Sequence, residues 1–177
     1  MKRIYTFILL LTMLGAFAQE STHNIDYSKS SVSFKIKNAG ITVDGEFKAY
    51  EVSLQIDPKN LTAARCDGKI NVASIHTGIN ARDNHLRNKD YFQVDKYPDI
   101  IFKSTGLKQQ LNGYLLSGKL TIKDVTKEVY IPVVFTKTGN VETYEAKLTI
   151  DRLDFHVGED SWVMSNEVMI QIKIITK

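Results

Sequence analysis

The sequence predicts an all-β fold of about eight antiparallel strands, a sandwich or a closed barrel, with a short helical segment at residues 77–98. Three observations carry the all-β part. Apolar and polar residues alternate with a period of two along most of the chain. The spacers between these runs are short and carry turn residues, which favours antiparallel neighbours. Helical periodicity is nearly absent, so strands with one apolar face each must bury it in a sandwich or a closed barrel.

The first 18 residues read as a signal peptide. Lys2-Arg3 is a positive start, Ile4 to Leu14 is an almost unbroken apolar run, and Ala16-Phe17-Ala18 offers small residues for cleavage before Gln19. The run is too short to span a bilayer comfortably, and no cysteine stands at the cleavage site for lipid attachment. A periplasmic or secreted mature chain, one domain over residues 19–177, is therefore expected. The whole chain has 23 Lys+Arg against 20 Asp+Glu, a net of +3. Losing Lys2 and Arg3 leaves 21 against 20, so the mature chain is nearly neutral. Its basic residues are interspersed with acids, which excludes the clustered basic face that nucleic acid requires.

The strands follow in order. Val32, Phe34 and Ile36 mark the first, and Tyr50, Val52, Leu54 and Ile56 the second. Ile70, Val72 and Ser74 mark the third, and Ile100, Phe102 and Ser104 the fourth. Tyr114 to Ile122 and Val129 to Phe135 are the fifth and sixth. Tyr144 to Ile150 and Val168 to Ile174 complete the set. Turns are expected at Asp44-Gly45, Asp57-Pro58-Lys59-Asn60, Asn112-Gly113 and Gly139-Asn140. Pro132 lacks a ladder donor and so predicts an edge, a bulge or a barrel seam. In the interruption, Asn80 is a candidate cap for two helical turns over Ala81 to Asn88, and Pro98 ends the segment.

Several segments resemble the YceI-like family of secreted lipid-binding proteins. They are Ser74-Ile75-His76-Thr77-Gly78, Arg82-Asp83-Asn84-His85-Leu86, Asp90 to Pro98, Ile101 to Thr105, Gly118 to Lys127, and Arg152-Leu153-Asp154-Phe155. The match runs in order from about Tyr27 to the C-terminus. The resemblance implies an eight-stranded, lipocalin-like antiparallel barrel with a helical segment near its mouth and an elongated apolar cavity for a polyisoprenoid or similar amphiphile. Asp124 and His156 stand where the family often has glycine, and Glu128 where it often has proline.

On the assumed inward faces, Ser74, Ser104, Gly118 and Ala146 are small and leave room. Phe34, Ile36, Val72, Phe102, Leu120, Ile122, Leu148, Ile150, Ile170 and Ile172 would line an apolar tube, with Trp162 over one end as a plug or an apolar gate. Burial of each ligand methylene is worth roughly 0.8 kcal/mol, so an apolar lining suffices for affinity. The alternative is that these side chains fill a solid core, giving a structural or stress-response interaction module without a lipid ligand.

Arg82, Asp83, Arg152 and Asp154, with His76 and Asn80, are candidates for holding a polar head group, because a guanidinium fork matches phosphate or carboxylate. The competing reading is a salt-bridge network that locks residues 77–98 onto the barrel. His23, His76, His85 and His156 lack metal-site spacing, and no cofactor is expected. Ser74, His76 and Asp83 could suggest a hydrolase, but no nucleophile-elbow motif accompanies them, so a non-enzymatic binding protein is expected. Cys66 is an inert thiol or a dimer cross-link, leaving a monomer or a homodimer. The expected partner is a long-chain isoprenoid or fatty amphiphile, with transient membrane contact at most.

Overall fold

Period-two alternation produces one curled antiparallel sheet of ten strands. The computed structural model describes residues 23–177 apart from Pro58 and Asn112; the predicted signal peptide lies outside the described residues. The strands are β1 (Ser31–Asn38), β2 (Ile41–Phe47), β3 (Tyr50–Gln55), β4 (Arg65–Asn71), β5 (Ile75–His76), β6 (Asp99–Gln110), β7 (Gly113–Ile122), β8 (Val125–Thr138), β9 (Val141–Asp151) and β10 (Met164–Ile175). One helix, α1 (Asn80–Arg87), lies between β5 and β6. The sheet runs β3-β4-β6-β7-β8-β9-β10-β1-β2-β5.

Its two ends meet through a single stretch of chain. β4 pairs with β3, then a 3-10 turn at Val72–Ser74 carries the chain into β5, which pairs with β2. Lys48 N donates to Ser74 O at 3.2 Å and Asn71 N to Ala49 O at 3.0 Å. Ala49 N donates to the Ser74 hydroxyl at 3.0 Å. The seam between β2 and β3 is thus stitched by isolated bonds in place of a ladder.

The two strands beyond the expected eight are β2 and β5. β2 escaped the alternation because its central inward position is Gly45, and Asp44-Gly45 reads as a turn. Gly45 instead pairs with Phe34 in mid-strand, and the turn is Ala39-Gly40, both at positive φ. The third expected strand also shifts. Val72 and Ser74 belong to the 3-10 turn, while the strand itself begins earlier, at Arg65.

Pro132 marks a seam, one of the three outcomes that its missing donor allows. β8 pairs with β7 along Val125 to Val133, but its pairing with β9 covers only Val133 to Thr138. Pro132 sits where β8 parts from β9. The gap beyond it is wedged by the 3-10 turn Leu153–Phe155, which contacts both strands and buries Phe155 almost completely. Asp154 belongs to the same wedge, with its carboxylate 2.6 Å from Lys127 Nζ. His156 follows at φ +55°, the left-handed conformation that glycine adopts without cost.

Two apolar clusters fill the ends of the barrel. One gathers Val32, Phe47, Val72, Ile75, Ile100, Leu120, Ile122, Phe155 and Val157 beneath α1. The other gathers Ile25, Leu54, Ile56, Ala64, Cys66, Leu107, Tyr144 and Ile174 at the opposite end. The second end is closed by the N-terminal segment, where His23 N donates to Leu54 O at 3.1 Å and Ile25 bridges Thr176.

Candidate functional site

Between these clusters runs a cavity of about 290 Å³. It reaches from Arg82, Leu86, Tyr91, Phe92 and Met164 at the α1 end to Cys66, Leu107, Tyr144 and Ile174 at the other, and its lining is overwhelmingly apolar. Phe34, Ile36, Phe102, Leu120, Ile122, Leu148, Ile150, Ile170 and Ile172 all line it.

Two glycines give the void its width. A Cβ on Gly118 would lie 2.3 Å from the Phe102 ring, and one on Gly45 would lie 2.2 Å from the Phe34 ring. Each ring therefore lies flat on a neighbouring strand and leaves the centre open. Ala146 also lines the cavity, but Ser74 and Ser104 do not. Their hydroxyls bond backbone instead: Ser74 Oγ donates to Asn71 O at 2.6 Å, and Ser104 Oγ accepts from Cys66 N at 2.9 Å.

Two expected lining residues lie elsewhere. Val72 is buried in the 3-10 turn outside the cavity, because the chain leaves strand geometry before it. Trp162 is neither plug nor lining. Its ring is fully exposed, beside Val163 and near Ile41, which are also exposed. The backbone bond from Ala39 N to Val163 O, 2.6 Å, holds this loop against the β1–β2 turn. Asn38, Val43 and Met164, immediate neighbours of these apolar tips, line the cavity.

The 77–98 segment forms one wall. Asn80 is the first helical residue, not the cap, which is Ile79 without a side-chain bond. Asp83 is buried and turned away from the cavity, because its Oδ1 accepts from Thr77 N at 2.8 Å and Thr77 Oγ1 at 2.5 Å. Burial works to raise its pKa, but the Thr77 hydrogen bonds, with His76 and Arg87, outweigh it and hold the carboxyl below the usual range. His76 Nδ1 lies 3.4 Å from Asp83 Oδ2. Arg87 pins the helix to the seam, donating from Nε to Ala73 O and from Nη2 to Ile75 O, both at 2.9 Å. Leu86, Tyr91 and Phe92 then turn inward.

Of the six residues expected at a head group, Arg82 and Arg152 reach the cavity. His76, Asn80, Asp83 and Asp154 do not, and the expected Arg82–Asp83 and Arg152–Asp154 pairs do not form. Arg82 donates to Thr77 Oγ1 at 2.7 Å and Thr77 O at 2.6 Å. Arg152 is buried and donates to Ser165 O, Val157 O and Asn166 Oδ1 at 3.0, 2.9 and 3.1 Å.

Cys66 is buried on the cavity wall, and burial pushes its thiol up to about 11. That position is incompatible with a dimer cross-link in this fold. Leu86, Tyr91, Phe92, Cys66 and Tyr144 are lining residues that the sequence reading missed. Tyr91-Phe92 carried a signal, an aromatic pair in a polar connection. Among the described residues, no group of His, Cys, Asp and Glu could hold a metal ion.

The family model for the YceI-like domain matches residues 23–176, which is all but one of the described positions from His23 onward. The chain belongs to the YceI-like family. A UPF0312 protein of Yersinia enterocolitica is 31% identical over 173 residues, covering 94% of this chain and 90% of that one. The crystal structure of Burkholderia cenocepacia BcnA superposes with a TM-score of 0.82 at 29% identity, over 87% of this chain and 100% of that one. A polyisoprenoid binding domain from Saccharophagus degradans shares the fold, with a TM-score of 0.72 at 14% identity over 90% and 99% of the two chains. Within this YceI-like chain, the Arg152–Phe155 motif supplies the wedge between β8 and β9, and the Arg82–Leu86 motif supplies α1.

Proposed function

We propose that this YceI-like chain is an exported, non-enzymatic carrier that sequesters a long-chain amphiphile, a polyisoprenoid or similar lipid, in its barrel cavity. The observation that carries the reading is the apolar void running between the two ends of the barrel. A tail threaded into it exchanges water contact for contact with Phe34, Phe102, Leu148, Ile150 and Ile170, at roughly 0.8 kcal/mol per methylene before ordering costs. Release needs no chemistry, since the complex is an equilibrium of burial. The same void counts against a solid-core interaction module, whose inward faces would meet. The shared fold of the Saccharophagus degradans polyisoprenoid binding domain supports the choice of ligand class. Export rests on the pattern of Lys2-Arg3, the apolar run and Ala16-Phe17-Ala18. Exposed Trp162, Val163 and Ile41 beside the α1 end of the cavity would serve transient contact with a membrane during transfer.

The test is native mass spectrometry of protein purified from its own host, followed by organic extraction. A mass increment that collapses to a long-chain lipid on extraction is expected. Protein that is always bare, and that takes up no long-chain lipid when offered, would overturn the reading.

A further inference from the structure

Two arginines on the cavity wall make no direct ion pair with a carboxylate among the described residues. Arg152 is 4% exposed, and all three of its hydrogen-bond acceptors are neutral: two backbone carbonyls and the Asn166 amide. Arg82, half-buried, bonds only the hydroxyl and carbonyl of Thr77. Both side chains line the same apolar cavity. Among the described residues, neither has a carboxylate within ion-pair distance. The acids near them in sequence have other direct partners: Asp83 accepts from Thr77, whose hydroxyl stands between it and Arg82 Nε, Asp154 pairs with Lys127, and Asp151 Oδ1 accepts from Leu153 N at 2.8 Å.

A guanidinium stays charged at any ordinary pH, so burial cannot be relieved by losing a proton. A buried charge is costly unless it is paired and hydrogen-bonded. From these two arginines we infer that the cavity selects amphiphiles whose head is an oxyanion, a carboxylate or a phosphate, over amphiphiles of equal length with an uncharged head. This rests on the carrier reading above and narrows its ligand class. Arg82 is the direct donor: its Nη1 is engaged by no described residue, and Thr77 fixes Nε and Nη2 so that the fork is already oriented. Arg152, anchored through all three nitrogens, supplies a fixed positive field in a low-dielectric wall. His76, Asn80, Asp83 and Asp154 have no part in the head-group contact.

The experiment compares matched pairs on delipidated full-length mature protein: palmitate against hexadecanol, and farnesyl phosphate against farnesol, with inorganic phosphate alone as a third arm. Each is titrated into wild type, Arg82→Gln and Arg82→Lys, with thermal unfolding run in parallel. The acid is expected to bind at least about tenfold tighter than its alcohol. Arg82→Gln should erase most of the acid-over-alcohol preference and, by losing the bonds to Thr77, lower the unfolding temperature while the protein stays folded at the assay temperature; Arg82→Lys should retain part of the preference. The palmitate and farnesyl phosphate pairs tell a carboxylate head from a phosphate head. Inorganic phosphate alone should not bind measurably; if it binds as tightly as the lipid, the site is one for a free anion and the inference fails. Equal affinity for acid and alcohol in wild type would overturn the head-group selection while leaving the carrier intact. Failure of both members of both pairs to bind would instead overturn the carrier reading.

Discussion

Gly118 lies directly beneath the ring of Phe102: a Cβ there would stand 2.3 Å from Phe102 Cζ and 2.7 Å from the backbone oxygen of Lys103. The ring could swing into the cavity, but the backbone of the paired strand cannot yield. Gly118→Ala is therefore expected to destabilise by about 1–3 kcal/mol and to narrow the void. Gly106→Ala, with nothing within 4 Å of the added methyl, is the control. Urea unfolding and lipid uptake on the two variants check this; equal behaviour would show that the glycine does not set the cavity width.

Phe155 closes the gap that opens where β8 leaves β9 beyond Pro132. Phe155→Ala should cost about 3–5 kcal/mol, the usual loss for a buried aromatic ring. Hydrogen exchange should speed up first in Val125 to Tyr130 and in Leu148 to Asp151, the strand halves that flank the wedge. Uniform acceleration over all strands would contradict the local role.

Asp83 and Glu142 are both held below the usual carboxylate range. Burial opposes this in each case, and the bonds from Thr77 to Asp83, and from Lys137 and Tyr144 to Glu142, outweigh it. With folded values depressed, their stabilisation is fully present above the unfolded values near pH ~4, and is lost as pH falls through the folded ones. Stability should therefore be flat from neutral pH to about 5 and decline below about 4. Asp83→Asn should lower neutral-pH stability by about 1–3 kcal/mol and reduce the acid slope. An unchanged slope would remove Asp83 from the explanation.

Cys66, buried on the cavity wall with its thiol raised to about 11 by desolvation first and by Asp67 second, should resist alkylation in the native state at pH 8. A raised value stabilises the fold below the ordinary thiol range, and that contribution disappears as pH climbs through about 11. Full labelling should appear only in denaturant. Rapid native labelling would mean that the wall opens.

Trp162 is the sole tryptophan and is fully exposed, so its emission should be that of a solvated indole. A blue shift on adding zwitterionic vesicles, weakened by Val163→Ser and Ile41→Ser beside the indole, is the expected sign of membrane contact at this tip. An unchanged spectrum at saturating lipid would remove the tip from any transfer step.

How far the sequence spoke for the fold depended on what a side chain can reveal. Alternation placed Phe34, Ile36, Phe102, Leu148 and Ile170 on inward faces because a half-buried strand imposes that period. It failed at β2, where Gly45 has no side chain to alternate and the Asp44-Gly45 pair imitates a turn. Only the close approach of the Phe34 ring, which no local pattern records, explains the glycine. Pro132 announced an edge, a bulge or a seam through its missing donor, yet neither which of them nor that Phe155 would fill the gap. The Arg82–Asp83 and Arg152–Asp154 pairs were misleading because adjacency in sequence does not fix direction: Asp83 meets Arg82 only through the Thr77 hydroxyl, and Asp154 turns to Lys127. Trp162 looked like a plug because a lone aromatic between strands usually seeks burial, whereas the Ala39–Val163 bond holds its loop outward.

If the void between the two clusters holds the ligand's tail, a side chain that fills it must displace the tail. Ala146 lines the cavity, and Ala146→Phe adds a ring to that space. The measurement is cis-parinaric acid fluorescence on delipidated wild type and Ala146→Phe, with thermal unfolding confirming that both are folded. Saturable enhancement is expected in wild type, with a loss of at least about tenfold in affinity, roughly 1.4 kcal/mol, in the filled variant. Undiminished binding by a folded Ala146→Phe protein would place the lipid outside the barrel cavity and overturn the carrier reading.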